Sequence, residues 1–213
     1  MIKALLCDFD GTLADTLWFY SKAYKKVLES FGFEFNDLWI YENCFGRKEE
    51  DICEKLGIPD QVEKFRNIYF SAANSYAHQA KLFPGVIEIL EKAKEKNINL
   101  ALISFARRRY IIDMIEHLNI KDFFKLVICF EDVVNPKPAP DAVIKVCNHF
   151  GIDTQESYII GDSKSDILMG KNAGAKTILF FPKENENVYN IVELKKTNPD
   201  HVINNWQQII EML

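Results

Sequence analysis

Leu6-Cys7-Asp8-Phe9-Asp10-Gly11-Thr12-Leu13-Ala14-Asp15 continues an apolar run that begins at Ile2, and the joined segment reads as a buried strand emptying into an acidic turn. Gly11 permits the sharp exit. Side chains alternate along a strand, so residues two apart point the same way and Asp8 and Asp10 face one spot. Two carboxylates left together in a core repel one another and lose hydration at a cost of several kcal/mol. A divalent cation relieves that cost. So does a division of labour between a nucleophile and an acid.

Outward from this stretch, Asp15 is suited to cap a helix over residues 16–30, with Gly32 beyond its end. Residues 36–81 read as helical throughout, in pieces spanning about 47–56, closed by Gly57, and 61–80. From Phe83-Pro84-Gly85 the pattern becomes an alternation of strands and helices. Helices are expected over 86–96, 107–118, from Pro140 to just before Gly151, and 163–172. Strands are expected over 98–103, 125–129, 158–160, 176–180 and 201–203. Such βαβ alternation implies a parallel sheet covered on both faces. The expected class is therefore α/β: a doubly wound, Rossmann-like parallel sheet formed by residues 1–14 and 83–213, with an inserted α-helical cap over 15–82.

Open parallel sheets bind ligands at the carboxyl ends of their strands. Four polar clusters fall at such ends. Asp8 and Asp10 end the first strand, and Ser104 ends the strand that closes at Ile103. Asn135-Pro136-Lys137-Pro138 follows the strand near Val127. Gly161-Asp162-Ser163-Lys164-Ser165-Asp166 follows Tyr158-Ile159-Ile160.

These residues resemble the haloacid dehalogenase-like hydrolase superfamily. The resemblance rests on D-x-D-G-T at Asp8 to Thr12, the serine at Ser104, K-P-x-P-D at Lys137 to Asp141 and G-D-x-x-x-D at Gly161 to Asp166, in that order over nearly the whole chain. A helical insertion between the first motif and Ser104 is similar to the phosphoglycolate phosphatase and β-phosphoglucomutase branch. The resemblance implies a phosphatase in which Asp8 attacks phosphorus and becomes an aspartyl-phosphate. It implies Mg2+ as cofactor, held by side-chain oxygens of Asp8 and Asp162 and the backbone carbonyl of Asp10. Asp10 then protonates the leaving oxygen and later activates water. Lys137 neutralises a phosphoryl oxygen, Ser104 hydrogen-bonds another, and backbone N–H groups near Phe9 and Phe105 complete the cradle.

The residues also admit plainer readings. Asp162 suits the N-cap of the following helix, which is compatible with metal binding. Asp166, four residues on and on the same helix face, either serves the metal through a water or orders the loop. Lys137 lies between two prolines that suit an aimed side chain, although a solvated loop lysine is the alternative. Thr12 orders the turn or contacts substrate. Arg47 either clasps a second anionic group on the substrate or is an exposed arginine at a helix start.

The presence of Asp10 favours an oxygen leaving group over a halide, which needs no proton. Mutases of the similar branch carry a histidine where Tyr20 stands and an arginine where Glu49 stands. Both departures favour a phosphatase over the mutase alternative. A catalytically silent regulator is disfavoured by the intact carboxylates and lysine.

Composition narrows the rest. The chain has 213 residues, 48% of them hydrophobic, and a formal net charge of −5, so a sizeable core is affordable in surface and no basic stripe suggests nucleic acid. The five cysteines are scattered without a C-x-x-C pair, which argues against a disulfide framework or zinc and fits a reducing compartment. No run reaches the roughly 20 apolar residues of a membrane span, and Asp8 and Asp10 interrupt any leader-like segment. A cytoplasmic enzyme acting on a small phosphate ester is the expectation.

Overall fold

A computed structural model describes residues 2–213; Met1, the first residue assigned above to the core, lies outside the described residues. Strand β1 (Ala4–Cys7) leads through the acidic turn to a two-residue strand, β2 (Ala14–Asp15). Helices α1 (Leu17–Ser30), α2 (Asp37–Asn43), α3 (Glu49–Lys55) and α4 (Val62–Ala77) follow. The chain returns through β3 (Lys81–Leu82) and then alternates: α5 (Val86–Glu95), β4 (Asn99–Ile103), α6 (Arg108–His117), β5 (Leu126–Ile128), α7 (Asp141–Phe150), β6 (Ser157–Gly161), α8 (Lys164–Ala173) and β7 (Lys176–Phe180). A short helix, α9 (Ile191–Lys195), and β8 (His201–Ile203) complete it.

The sheet order is β5-β4-β1-β6-β7-β8, and every pairing is parallel. Strand β1 therefore lies between β4 and β6, where the winding reverses. Its register places Cys7 beside Leu102 on one side and Ile160 on the other. The residues that follow these three strands, Asp8, Ser104 and Asp162, consequently emerge together. Burial on both faces explains why the strands read as unbroken apolar runs. Ala4, Leu6, Ala101, Ile103, Ile128 and Ile159 pack with Val143, Val146 and Cys147 of α7 and Met169 of α8. Leu5, Cys7, Leu100 and Leu102, which alternation turns to the opposite face, are equally buried.

The chain divides into two compact units. One comprises the residues up to Asp15, Lys81–Glu186 and Asn190–Leu213, and the other Thr16–Ala80 with Asn187–Tyr189. In the helical unit, α1 packs along α4, burying Phe19, Ala23, Val27 and Leu28 with Phe65, Ala72 and Ala73. Tyr24 stacks on Tyr69 with ring centroids 4.4 Å apart.

Two local expectations are corrected. Asp15 does not cap α1; it pairs with Lys81 in an antiparallel β2–β3 ribbon that the sequence reading lacked. Thr16 occupies the cap position without a side-chain hydrogen bond to the helix. Strands of two residues are too short to carry a period of two, so the ribbon left no pattern to read. Asp8 and Asp10 also lie beyond β1, which ends at Cys7, so turn geometry rather than strand alternation directs them.

Candidate active site

The turn after β1 is wound around a single carbonyl. Phe9 O accepts hydrogen bonds from the amides of Thr12 (3.3 Å), Leu13 (3.0 Å) and Ala14 (3.0 Å), and Gly11 N donates to Ala14 O at 2.9 Å. This winding needs a left-handed residue, and Gly11 supplies it with φ of 74°. Asp8, 9% exposed, is thereby carried to the mouth of β1.

Lys137 comes from the loop after β5. The Asn135 side chain donates to Asp141 Oδ2 at 3.0 Å, closing the loop around the intervening Pro136-Lys137-Pro138, and the Lys137–Pro138 peptide is cis. The lysine side chain is 7% exposed, so it is not a solvated loop lysine. Its ammonium spends all three donors: 2.5 Å to Asp8 Oδ1, 2.6 Å to Asp166 Oδ1 and 3.2 Å to Ile103 O. The Phe105 ring covers it, with the centroid 5.5 Å from Nζ.

Asp162 follows β6 but precedes α8, so it is not on the same helix face as Asp166. The N-cap is Ser163, one residue later than expected. Asp166 closes the capping box, its Oδ2 accepting from Ser163 Oγ (2.5 Å) and Ser163 N (3.2 Å) while its Oδ1 takes the Lys137 ammonium. One carboxylate thus orders the loop and aims the lysine. Gly161 is what lets it approach, because a Cβ there would collide with the Asp166 carboxylate.

Oxygens of Asp8, Asp162 and Asp166 lie within 4.8 Å of one another, and all three residues are buried. Burial, and then repulsion from Asp166, raises the Asp8 carboxyl above its ordinary value despite the Lys137 ammonium. Burial and the Asp8 and Asp166 charges likewise raise Asp162 well above the carboxylate range. Lys137 moves the other way to what burial alone dictates, because Asp166 and Asp8 hold it protonated. Three carboxylates against one ammonium cannot all ionise here without a further positive charge. A hard divalent cation fits this donor set of clustered carboxylate oxygens, Mg2+ included.

Asp10 has different company. Its Oδ1 accepts the Tyr110 hydroxyl of α6 at 2.9 Å. Ser104, 2% exposed, accepts the Ala106 amide on its Oγ at 3.1 Å, which leaves its own proton to donate. Thr12 is fully buried; its carbonyl accepts the Trp206 indole N–H at 3.1 Å, and its hydroxyl finds no hydrogen-bond partner among the described residues. Arg47 lies in the helical unit between α2 and α3, exposed and without an ion-pair partner among the described residues.

Three residues at this site escaped the sequence reading: Tyr110, Asn185 and Trp206. Each reaches it from far along the chain. Asn185 Nδ2 donates to Gly11 O at 2.9 Å and to Asp162 Oδ2 at 3.3 Å. Within Lys183-Glu184-Asn185-Glu186-Asn187 nothing marks it out, and only the folded chain shows that it alone of the five-residue turn is buried.

The family model of haloacid dehalogenase-like hydrolases matches residues 5–180. The chain is 29% identical over 182 residues to a phosphorylated carbohydrates phosphatase of Thermotoga maritima, covering 83% of this chain and 84% of that one. It is 26% identical over 225 residues to a pyrophosphatase of Halalkalibacterium halodurans, covering 100% and 97%. Among solved structures, a chain from Bacteroides fragilis assigned to the haloacid dehalogenase-like hydrolases superimposes with a TM-score of 0.84 at 27% identity, covering 98% and 100%.

Proposed function

The chain belongs to the haloacid dehalogenase-like hydrolases, and from that premise we propose that it is a Mg2+-dependent phosphatase hydrolysing a small phosphate monoester through an aspartyl-phosphate on Asp8. The observation that carries this reading is the lysine-bridged acidic cluster: Lys137 pins Asp8 and Asp166 while Asp162 completes a buried set of three carboxyls against one ammonium.

Asp8 and Asp162 would hold the cation, with the Asp10 carbonyl as the family resemblance implies. When bound, the cation supplies charge neutralisation for the phosphoryl oxygens. The residues divide the remaining work. An oxygen of the Asp8 carboxylate attacks phosphorus as the ester P–O bond breaks. The proton for the departing alkoxide comes from the Asp10 carboxyl, which accepts the Tyr110 hydroxyl on its Oδ1. A water then attacks phosphorus and passes its proton to Asp10. The P–O bond to Asp8 breaks, releasing inorganic phosphate and restoring the Asp8 carboxylate. Lys137 stays protonated throughout and offers its charge to a phosphoryl oxygen, with Ser104 donating to another.

The helical unit supports hydrolysis over mutase chemistry. Glu49, the position that mutases of the similar branch fill with arginine, pairs with Arg66 at 3.5 Å, and Arg66 also binds Glu50 (2.7 Å) and Glu63 (2.6 Å). Tyr20 packs into an aromatic cluster, 4.5 Å from Phe19 and 6.4 Å from Tyr69 by centroid. The relatives' names, a phosphorylated carbohydrates phosphatase and a pyrophosphatase, direct the substrate search to sugar phosphates first and pyrophosphate second. Arg47 is our candidate for holding a second anionic group. All five cysteines are free and buried, which suits a cytoplasmic location, and no helix among the described residues is long and apolar enough to cross a membrane.

The test is turnover of an aryl phosphate with and without Mg2+. Asp8→Asn should abolish it while the protein stays folded, excess EDTA should suppress the wild type, and beryllofluoride should bind at Asp8. Undiminished activity in the variant or in EDTA overturns the proposal.

A further inference from the structure

One fully buried polar side chain near the acidic cluster belongs to none of the four strand-end motifs. Asn185 is fully buried, in a short turn after β7 whose neighbours Lys183, Glu184 and Glu186 are exposed. Its amide nitrogen spends both protons on the site: one on Gly11 O, in the turn that carries Asp8 and Asp10, and one on Asp162 Oδ2. Its carbonyl oxygen is buried with no hydrogen-bond partner among the described residues. The flipped amide would face that oxygen against two other acceptors and leave the Gly11 and Asp162 oxygens without their donor. The amide orientation is thus fixed by its two acceptors.

We propose that Asn185 is a positioning residue for the cation site: it ties Asp162 through one oxygen to the turn after β1. The inference rests on the phosphatase reading above. The chemistry favours an amide here. A lysine would neutralise Asp162 and compete with the cation. A hydroxyl has one proton and cannot donate to two acceptors. An amide orients the carboxylate, leaves its charge intact and links two loops that emerge from neighbouring strands. Partners that orient metal ligands in this way commonly change metal affinity by roughly 10–100-fold when removed.

The experiment is Mg2+ titration of the metal-free protein by calorimetry, for wild type, Asn185→Ala and the near-isosteric Asn185→Leu. The expected result is an affinity weaker by about tenfold or more in both variants, with most of kcat restored at saturating Mg2+. A purely structural asparagine would lower the melting temperature in EDTA while leaving the Mg2+ dissociation constant within twofold of wild type, and that outcome overturns the inference. If neither variant folds, the wild type still decides. The Asn185 side-chain amide resonances should shift on Mg2+ saturation, because the charge on their acceptor is taken up, and unshifted resonances overturn the proposal. A wild type that binds no Mg2+ sinks the phosphatase reading instead, so the two failures are distinguishable.

Discussion

Asp8 and Asp10 are two residues apart and chemically alike, and the fold separates their roles by what each touches. Asp8 faces an ammonium at 2.5 Å, whereas Asp10 receives a neutral hydroxyl from Tyr110 at 2.9 Å. The Tyr110 hydroxyl orients the Asp10 carboxyl, which in the proposed reaction delivers and recovers a proton. Asp10→Asn should therefore slow alkyl phosphates by about 10²–10⁴-fold in single-turnover assays, while an activated aryl phosphate, needing little protonation, loses much less. Tyr110→Phe should follow the same leaving-group order with a smaller loss, roughly tenfold, as one hydrogen bond to a charged group is removed. Equal losses on both substrates would remove the acid role from Asp10. Asp8, Asp10, Lys137 and Asp162 were legible in the sequence because each follows a strand within a local motif. Tyr110 and Asn185 were not: their partners lie 100 and 174 residues away, and only the parallel register brings them together.

Elements were legible where they were long enough to show a period. The alternation from α5 to β7 matches the structure within a residue or two for most elements, because each strand is apolar on both faces and most helices have one buried stripe. The two-residue ribbon was not, since it depends on a partner strand elsewhere, and the cap of α8 falls at Ser163, one residue past the acid expected to fill it. The start of α8 carries a sharp prediction. Gly161→Ala places a methyl in the space of the Asp166 carboxylate, which must swing away and release both Ser163 and Lys137. Activity should fall by at least about tenfold, on the scale of other orienting contacts to site residues, with the fold retained by circular dichroism. Wild-type kinetics in a folded variant would mean that Asp166 does not aim the lysine. At the entry to β8, Asp200 accepts from Thr177 N (2.8 Å), Thr177 Oγ1 (2.6 Å) and Lys171 Nζ (3.2 Å), joining it to β7 and α8. Burial pushes its carboxyl up, but the Thr177 hydrogen bonds and Lys171 together hold it below its ordinary value. A depressed carboxyl stabilises the fold above the unfolded value, near 4, and loses that contribution as pH falls through the lower folded value. Asp200→Ala should thus cost about 1 kcal/mol at most from pH 5 to 7, because solvent screens a carboxylate this exposed, with the gap to wild type closing below about pH 4 in urea melts. A gap that stays constant down to pH 3 would assign the loss to packing.

At the scale of the molecule, the proposed chemistry is carried by one of the two units. Every side chain of the acidic cluster comes from the α/β unit, and its roles follow from charge and geometry that any phosphate ester meets alike. Selectivity needs groups that read the rest of the ester. In the helical unit several charged groups near the α2–α3 loop are already committed: Glu49, Glu50 and Glu63 to Arg66, and Lys55 to Asn43. Arg47, like Lys48, is exposed and outside any ion pair among the described residues. Its planar fork suits a carboxylate or a second phosphate. If it clasps such a group, Arg47→Ala should reduce kcat/KM for doubly anionic substrates by about 1–3 kcal/mol, roughly 5- to 150-fold, and spare a small aryl phosphate. Equal losses on both substrates would count against selection by Arg47. No loss on either would identify a solvated arginine. Loss of all activity with a lowered melting temperature would report damage to the helical unit, and a repeat with Arg47→Lys, which keeps the charge but not the fork, would then separate folding from recognition.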